Sequence, residues 1–280
     1  MRKILRVISV FVMACGVATG AVAQQVGTLD LVFSSSASVQ ESTSAADAAE
    51  AMARFIDSAS GGMSSTELLA ALKDAAEAGQ TMALWRLGNM YENGEGVPED
   101  RVRAFGYFSR IANEHANTPP RSLQADIVAH SFVKVGEYYR KGLPDAGVEI
   151  DSDKSNMLLL HAASYFGDAD AQYRVGRLFL SEGGLGMNAL QSARWLSLSA
   201  RKGHVAAQAT LGDMLFSGDT LERQPVEGLM WLTIASQHAS GSSEESWVVE
   251  LLNKAMSVAT PDERSAALHA AETLGGQFSG

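Results

Sequence analysis

Histidine side chains are the groups in this chain best suited to bind a metal ion or to transfer a proton, and their spacing supports neither use. Six are present: His115, His130, His161, His204, His238 and His269. No two of them lie four residues apart, the spacing at which two imidazoles on one helix share a zinc ion. His161 stands beside Ala162 and Ala163, which favours a partly buried packing role. The alternative is pH sensing, because histidine titrates near neutrality.

Two glycine-rich stretches are the next candidates, because glycine loops can hold phosphate groups. Gly94-Glu95-Gly96 and Gly183-Gly184-Leu185-Gly186 each follow a predicted helix rather than a strand. That context excludes a dinucleotide-binding loop. The chain also lacks a Gly-x-Ser-x-Gly nucleophile motif. We therefore expect no catalytic residue, no cofactor and no metal, and we interpret these glycines as turns.

Polar side chains at fixed offsets from a recurring helical glycine form the remaining candidate, a protein-binding surface. Two positions before the glycine the residues are mostly basic: Arg86, Lys134, Arg174 and Thr210. One position after it they are Asn89, Glu137, Arg177 and Asp213. We expect these two polar columns on the concave face of a helical array, where the basic column would meet an acidic partner surface. The alternative is a solvated face whose charges pair with one another.

The glycines that define these columns recur along the chain as Gly88, Gly136, Gly176 and Gly212, separated by 48, 40 and 36 residues. Periods of this length are typical of helical-hairpin repeats. A glycine inside a helix costs about 1 kcal/mol relative to alanine. We infer that helix A of each hairpin lacks a side chain at this point so that a neighbouring helix approaches closely, and that the buried apolar surface outweighs the cost.

Two further glycine positions and one aromatic position keep the same register. A second glycine follows six or seven residues later and is expected to end helix A: Gly94, Gly142, Gly183 and Gly218. A third glycine precedes the helical one by nine residues and is expected to end the preceding helix B: Gly79, Gly167 and Gly203. On helix B, Trp195 and Trp231 stand 36 residues apart as large anchors, and Tyr107 takes the equivalent place in the first unit.

The motifs Ala-x-x-Leu-Gly-x-Met-Tyr-x-x-Gly-x-Gly-Val and Ala-x-Trp-Leu…Ala-x-x-Gly resemble Sel1-like repeats, relatives of the tetratricopeptide family, from residue 66 to about 239. The resemblance implies an all-α fold, an α-solenoid of helical hairpins. We expect helices near 66–78, 81–92, 99–115, 122–140, 152–166, 169–181, 188–202, 205–217, 223–239, 244–258 and 261–274. The last helix has a start signal at Thr260-Pro261-Asp262-Glu263.

Three regions follow from this reading of the residues after position 23. The repeat array is expected over residues 64–240, and residues 241–276, which lack the repeat glycines, are expected to form a pair of capping helices. Unit two is stretched at residues 113–121 and 143–153, as partner contacts or as tolerated insertions. Residues 24–63 are rich in serine and alanine and predict a largely flexible leader, or a partner-binding arm.

The first residues predict export. Basic residues precede an apolar run, and Ala21-Val22-Ala23 places small residues where a signal peptidase cuts, so residues 1–23 are expected to be a signal peptide that leads to the periplasm. Lipoprotein processing at Cys15 and a membrane span are the alternatives. Cleavage after Ala23 would remove Cys15, the only cysteine, and no membrane insertion is expected afterwards.

The net charge of −10, without a basic stripe, argues against a nucleic-acid partner.

Longer segments carry a narrower resemblance: ALWRLGNMYENGEGVPED, AASYFGDADAQYRVGRLFL, ARWLSLSARKGHVAAQATLGDMLF and ATPDERSAAL. They are similar to the periplasmic regulators of exopolysaccharide production in rhizobia and related alphaproteobacteria. The resemblance implies that the chain binds the periplasmic domain of a sensor histidine kinase and holds it inactive, and that a periplasmic protease relieves the inhibition. An envelope-assembly scaffold without a signalling role is the alternative, because repeats alone specify only interaction.

Overall fold

The computed structural model describes residues 64–182, 184–239 and 246–274. The predicted signal peptide (1–23), the leader (24–63), Gly183 and the first residues of the predicted capping region lie outside this range. Within it the chain forms eleven α-helices: α1 Ser65–Glu77, α2 Thr81–Asn93, α3 Arg101–Glu114, α4 Ala125–Lys141, α5 Ser152–His161, α6 Ala169–Leu178, α7 Ala189–Ala200, α8 Val205–Ser217, α9 Pro225–His238, α10 Ser246–Val258 and α11 Pro261–Leu274. No strand occurs in the described ranges, and the predicted all-α solenoid is confirmed.

Four helical hairpins make up the described array, and each pairs a helix A with a helix B. The pairs are α2 with α3, α4 with α5, α6 with α7, and α8 with α9. Polar side chains start most B helices: Asp100, Asp151 and Asn188 each accept a hydrogen bond from the backbone N–H three residues later. In the fourth hairpin, proline occupies the first position of helix B instead.

Glycines end the A helices as predicted in three of the four hairpins. Gly94 and Gly218 adopt φ of +72° and +71°, and Gly142 has φ of +75°. These angles favour glycine because a Cβ would be strained there. In the third hairpin α6 ends earlier than predicted, at Leu178, and Phe179 caps it with φ of −79°.

The helical glycines are points of close contact between helix A and helix B, as predicted. A Cβ added to Gly88 would lie 2.5 Å from Cε1 of Phe108, and one added to Gly176 would lie 2.9 Å from Cγ of Leu196. At Gly212 the nearest atom is the backbone oxygen of Gly228, at 2.8 Å. All three distances are below 3.0 Å, which real Cβ atoms essentially never show, so a methyl group at any of these crossings would force atoms of helix B to shift.

The second hairpin has the loosest crossing. A Cβ on Gly136 would lie 3.4 Å from the backbone oxygen of Ser155 and 3.6 Å from Cγ of Leu159. Those are ordinary van der Waals distances. The helices α4 and α5 therefore tolerate a methyl group at the point where the other hairpins exclude one.

The side chain that fills each crossing follows the predicted anchor by one position. Phe108, Leu196 and Leu232 contact the glycines and are fully buried. Of the anchors themselves, Trp231 is buried and Trp195 is only half-buried. The tryptophan period marks helix B correctly, but the residue beside it makes the contact.

Helices α10 and α11 cover the last hairpin. Val248, Ala255 and Ala267 pack against Leu229 and Leu232 of α9. The predicted start of α11 is confirmed, because the hydroxyl of Thr260 accepts from the N–H of Glu263 at 3.2 Å and the Thr260 N–H donates to the Glu263 carboxylate at 2.8 Å. The apolar side of α9 is thereby removed from solvent, as an end cap requires.

Glycine-to-alanine substitutions at the crossings should have graded effects on stability. Gly212→Ala should lower the free energy of unfolding by about 2 kcal/mol or more, because its Cβ would overlap backbone rather than a movable side chain. Gly136→Ala should leave stability unchanged or raise it by up to about 1 kcal/mol, because it gains helix propensity without a clash. Midpoints of urea denaturation measure both, with Gly136→Ala as the matched control. Equal losses at the two positions would contradict the crossing model.

Candidate protein-interaction surface

Two side chains of the basic column, Lys134 and Arg174, form ion pairs with carboxylates of the same chain. Lys134 of α4 places its Nζ 2.5 Å from Oε2 of Glu92 on α2. The hydroxyl of Tyr138 donates to the other oxygen of the same carboxylate at 3.3 Å. Both side chains of the ion pair are largely covered, with exposed fractions of 32% and 19%. Lys134 therefore joins two hairpins and does not project freely toward a partner.

Arg174 makes the equivalent link in the next hairpin. Its Nη1 lies 2.5 Å from Oε1 of Glu137 on α4, and its Nε lies 2.7 Å from Oδ2 of Asp170 on its own helix α6. Arg174 is thus shared between two carboxylates. One of them, Glu137, belongs to the second predicted column, so the two columns pair with each other.

Asp170 extends the series to the fourth hairpin. The Nδ1 of His204 accepts a hydrogen bond from the N–H of Ala207 at 3.2 Å, which leaves the proton of the neutral ring on Nε2, 3.7 Å from Asp170 Oδ1. Burial alone would raise the pKa of Asp170, but the interaction with His204 and the charge of Arg174 outweigh it and lower the pKa to about 2. His204 is therefore both the N-cap of α8 and a contact to α6.

These contacts form what we call the inter-repeat ladder: Glu92 with Lys134, Glu137 with Arg174, and Asp170 with His204. Its three links connect α2 to α4, α4 to α6, and α6 to α8. Partly covered pairs of this kind interact more strongly than exposed ones because solvent screens them less. Most charges of this surface therefore pair with one another, as the alternative interpretation of the two columns expects.

The other members of the two columns make local contacts. Asn89 donates to the carbonyl of Trp85 at 2.9 Å, and Thr210 donates to the carbonyl of Ala206 at 2.7 Å. Arg86 is exposed, and its Nη1 is 3.9 Å from Glu95. Of the basic column, Arg86 is thus the side chain available to a partner.

The remaining two column residues are also exposed. Arg177 lies over the ring of Tyr173 and donates to the Tyr173 hydroxyl at 3.1 Å. Burial raises the pKa of Asp213, against a smaller lowering by Lys254 of α10. The partner-binding role of the two columns stays a prediction, and it narrows to Arg86, Arg177 and Asp213.

His161 is a core residue, as its neighbours in the sequence suggest. Its ring packs edge-on against Phe132 at 4.6 Å and stacks on Tyr165 at 5.2 Å between ring centroids. Burial lowers its pKa, so the imidazole stays neutral at neutral pH. It stands where α5 passes into a π-helical turn, Ala162–Phe166, that ends at Gly167. His161 thus serves as an aromatic packing element.

The part of the chain that the structure describes contains no group of three or more metal-ligating side chains close enough to share an ion. Over the same residues, no helix combines the length and the apolar character that crossing a bilayer requires. The chemistry found on this surface is ion pairing and hydrogen bonding.

Removal of the Arg174 charge should cost more stability than removal of the Arg86 charge. Arg174→Met leaves Glu137 and Asp170 partly covered without their shared partner, and we expect a loss of about 1–3 kcal/mol. Arg86→Met removes an exposed pair and should cost less than about 0.5 kcal/mol. Thermal unfolding of the two variants tests this. If both melt with the wild-type chain, the ladder contributes nothing.

The contribution of Asp170 should depend on pH. Its pKa falls from an ordinary 3.8 to about 2 on folding, so its carboxylate stabilises the folded chain above pH 4, and this contribution is lost as the pH falls toward 2. We expect wild type to exceed Asp170→Asn by about 1–2 kcal/mol at pH 6, after allowance for its partial exposure. The difference should shrink between pH 4 and pH 2. A constant difference over that range would contradict the assignment.

Comparison with known proteins identifies the repeats. The family model for the Sel1 repeat matches residues 81–114, 169–204 and 205–240, which correspond to the first, third and fourth hairpins. The second hairpin, α4 with α5, lies between the matched segments and carries the two insertions. A solved Sel1 repeat protein from Oxalobacter formigenes has the same fold, with a TM-score of 0.58 and 20% identity over 83% of this chain and 88% of that chain.

Two curated relatives are similar over most of their length. One, from Rhizobium meliloti (strain 1021), is 33% identical over 74% of this chain and 75% of its own, and one from Rhizobium leguminosarum bv. viciae is 30% identical over the same shares. Both are named exopolysaccharide production negative regulator. The repeats and these relatives indicate a regulatory protein-interaction module. This chain therefore belongs to the family of exopolysaccharide production negative regulators, built from Sel1 repeats.

Proposed function

We propose that this protein restrains exopolysaccharide production by binding the periplasmic domain of a membrane sensor histidine kinase and holding it inactive. The observation that carries the proposal is the similarity to two negative regulators over three quarters of their length. A periplasmic protease would relieve the inhibition by cutting the regulator. The predicted signal peptide at residues 1–23 would deliver the chain to that compartment.

The described surface supports binding rather than catalysis. Two histidines of this surface are engaged in structural contacts, since His204 of the ladder caps α8 and His130 donates from Nδ1 to the carbonyl of Asp126 at 2.6 Å. The hairpins expose both A-helix and B-helix side chains over a long surface. Such arrays act by presenting that surface to other proteins.

A direct binding measurement tests the proposal. The chain without residues 1–23 is titrated by isothermal calorimetry with the purified periplasmic domain of the sensor kinase from the same organism. We expect a complex to form, because the proposed inhibition requires the intact regulator to hold the kinase. Arg86→Glu is the informative charge reversal, because Arg86 is exposed, whereas reversal at Arg174 would also break the ladder.

A deletion strain supplies the cellular counterpart. Loss of the gene should raise exopolysaccharide production, and the wild-type gene should restore it. Normal exopolysaccharide together with a defective envelope would favour the scaffold alternative. If the wild-type chain has no affinity for the sensor domain, the inhibitory function is wrong.

A further inference from the structure

Gly106 is a glycine whose presence in a helix has no internal explanation. It lies in the middle of α3, where it costs about 1 kcal/mol relative to alanine. The other helical glycines of the described chain meet a packing partner, but a Cβ built on Gly106 finds no heavy atom within 4 Å. The position is exposed. Packing within the described chain therefore does not require a glycine at this position.

A cleft of about 390 Å³ opens above Gly106. Its other lining residues come from α1, α2 and α3, and all of them are basic or tyrosine: Lys73, Tyr91, Arg103, Tyr107 and Arg110. The cleft contains no member of the inter-repeat ladder or of the two polar columns. None of its lining residues is acidic, although carboxylates beside it pair with both arginines, Asp100 with Arg103 and Glu114 with Arg110.

The three cations of the cleft differ in how firmly they are held. Arg110 is fixed, because it donates to the carbonyl of Ala76 at 2.8 Å and pairs with Glu114 at 2.8 Å. Arg103 is also positioned, by Tyr91 and by Asp100 at 3.1 Å. Lys73 is exposed, and no hydrogen bond or ion pair joins it to another described residue. Two of the three cations are thus prearranged, and Lys73 has no such partner within the described residues.

Two tyrosines line the cleft, and the ring of Tyr91 has no open face. The Tyr91 ring is stacked on Tyr107 at 5.9 Å with an angle of 15° between the planes. Its other neighbour is Arg103, whose guanidinium carbon lies 5.2 Å from the ring centroid. Tyr91 is only 3% exposed. Beside the bare helix backbone at Gly106, the cleft therefore offers Lys73, the two paired arginines and the half-buried ring of Tyr107.

We propose that this cleft binds an acidic segment of a protein partner, whose backbone passes over Gly106 and whose carboxylates meet Lys73 and Arg103. The inference rests on the proposed function, since it assigns the partner's contact to the cleft that α1, α2 and α3 line. A missing side chain permits close approach of a second backbone, as it does at the internal crossings. An acidic sugar polymer is the alternative occupant, and the two probes below distinguish it from an acidic peptide.

Two variants test the cleft. Gly106→Gln fills its floor and should raise the melting temperature slightly through helix propensity, so a loss of binding cannot come from unfolding. Lys73→Glu reverses a charge that lines the cleft. The matched controls are Asn113→Gln, exposed on the same helix, and Arg194→Glu, an exposed charge reversal on α7, since neither residue lines the cleft.

The probes are an octaglutamate peptide and trigalacturonate, each titrated into the chain without residues 1–23 at low salt. We expect wild type and controls to bind octaglutamate, and both cleft variants to bind it at least tenfold more weakly. Equal affinity in all variants, or no binding by wild type, would overturn the proposal. Binding of trigalacturonate alone would assign the cleft to an acidic saccharide and would overturn it too.

The kinase sensor domain separates this inference from the proposed function. If the cleft variants no longer bind octaglutamate and the wild-type chain does not bind the sensor domain, the cleft assignment is supported and the kinase proposal is wrong. If wild type and cleft variants bind the sensor domain equally well, the kinase proposal stands and the cleft is not its contact.

Discussion

In three of the four hairpins, helix A meets helix B closely at a point where helix A has no side chain, and this contact organises those hairpins. At Gly88, Gly176 and Gly212 a methyl group would overlap helix B. The fourth hairpin goes furthest, because Gly228 faces Gly212 and a Cβ there would lie 2.5 Å from the backbone nitrogen of Phe216. Close approach lets Phe108, Leu196 and Leu232 reach full burial, and that burial offsets the helix propensity lost at glycine.

A second set of contacts acts between hairpins. The crossings hold each helix A on its own helix B, whereas the inter-repeat ladder connects successive A helices through ion pairs and a histidine. The ladder uses most of the charge that its face carries. The cations left for a partner that recognises charge are therefore Arg86 and those of the basic cleft that α1 and α3 share. Packing thus decides which cations remain for function.

The sequence predicts the helices well because glycine spacing and caps are local signals. It also places the crossings, since a period of 36 to 48 residues shows in the chain itself. The ladder was not visible as such, because Lys134 finds Glu92 42 residues away and only the packing of α4 on α2 brings them together. The sequence also does not predict the roles of Gly228 and of the histidine cap of α8. Glycine and histidine can each serve several roles, and only the residues packed around them determine which one applies. Gly106 carried a local signal, an isolated helical glycine out of register with the repeat.

Hydrogen–deuterium exchange of the chain alone and in complex with the kinase sensor domain tests most directly how this array recognises a partner. Backbone amides of α1 and α3 around Lys73 and Gly106 should become protected on binding. Amides of α4 and α6, whose ladder charges are already paired, should exchange at unchanged rates. Protection centred on α4 and α6 with α1 and α3 unaffected would contradict the account, because the ladder face would then be the contact.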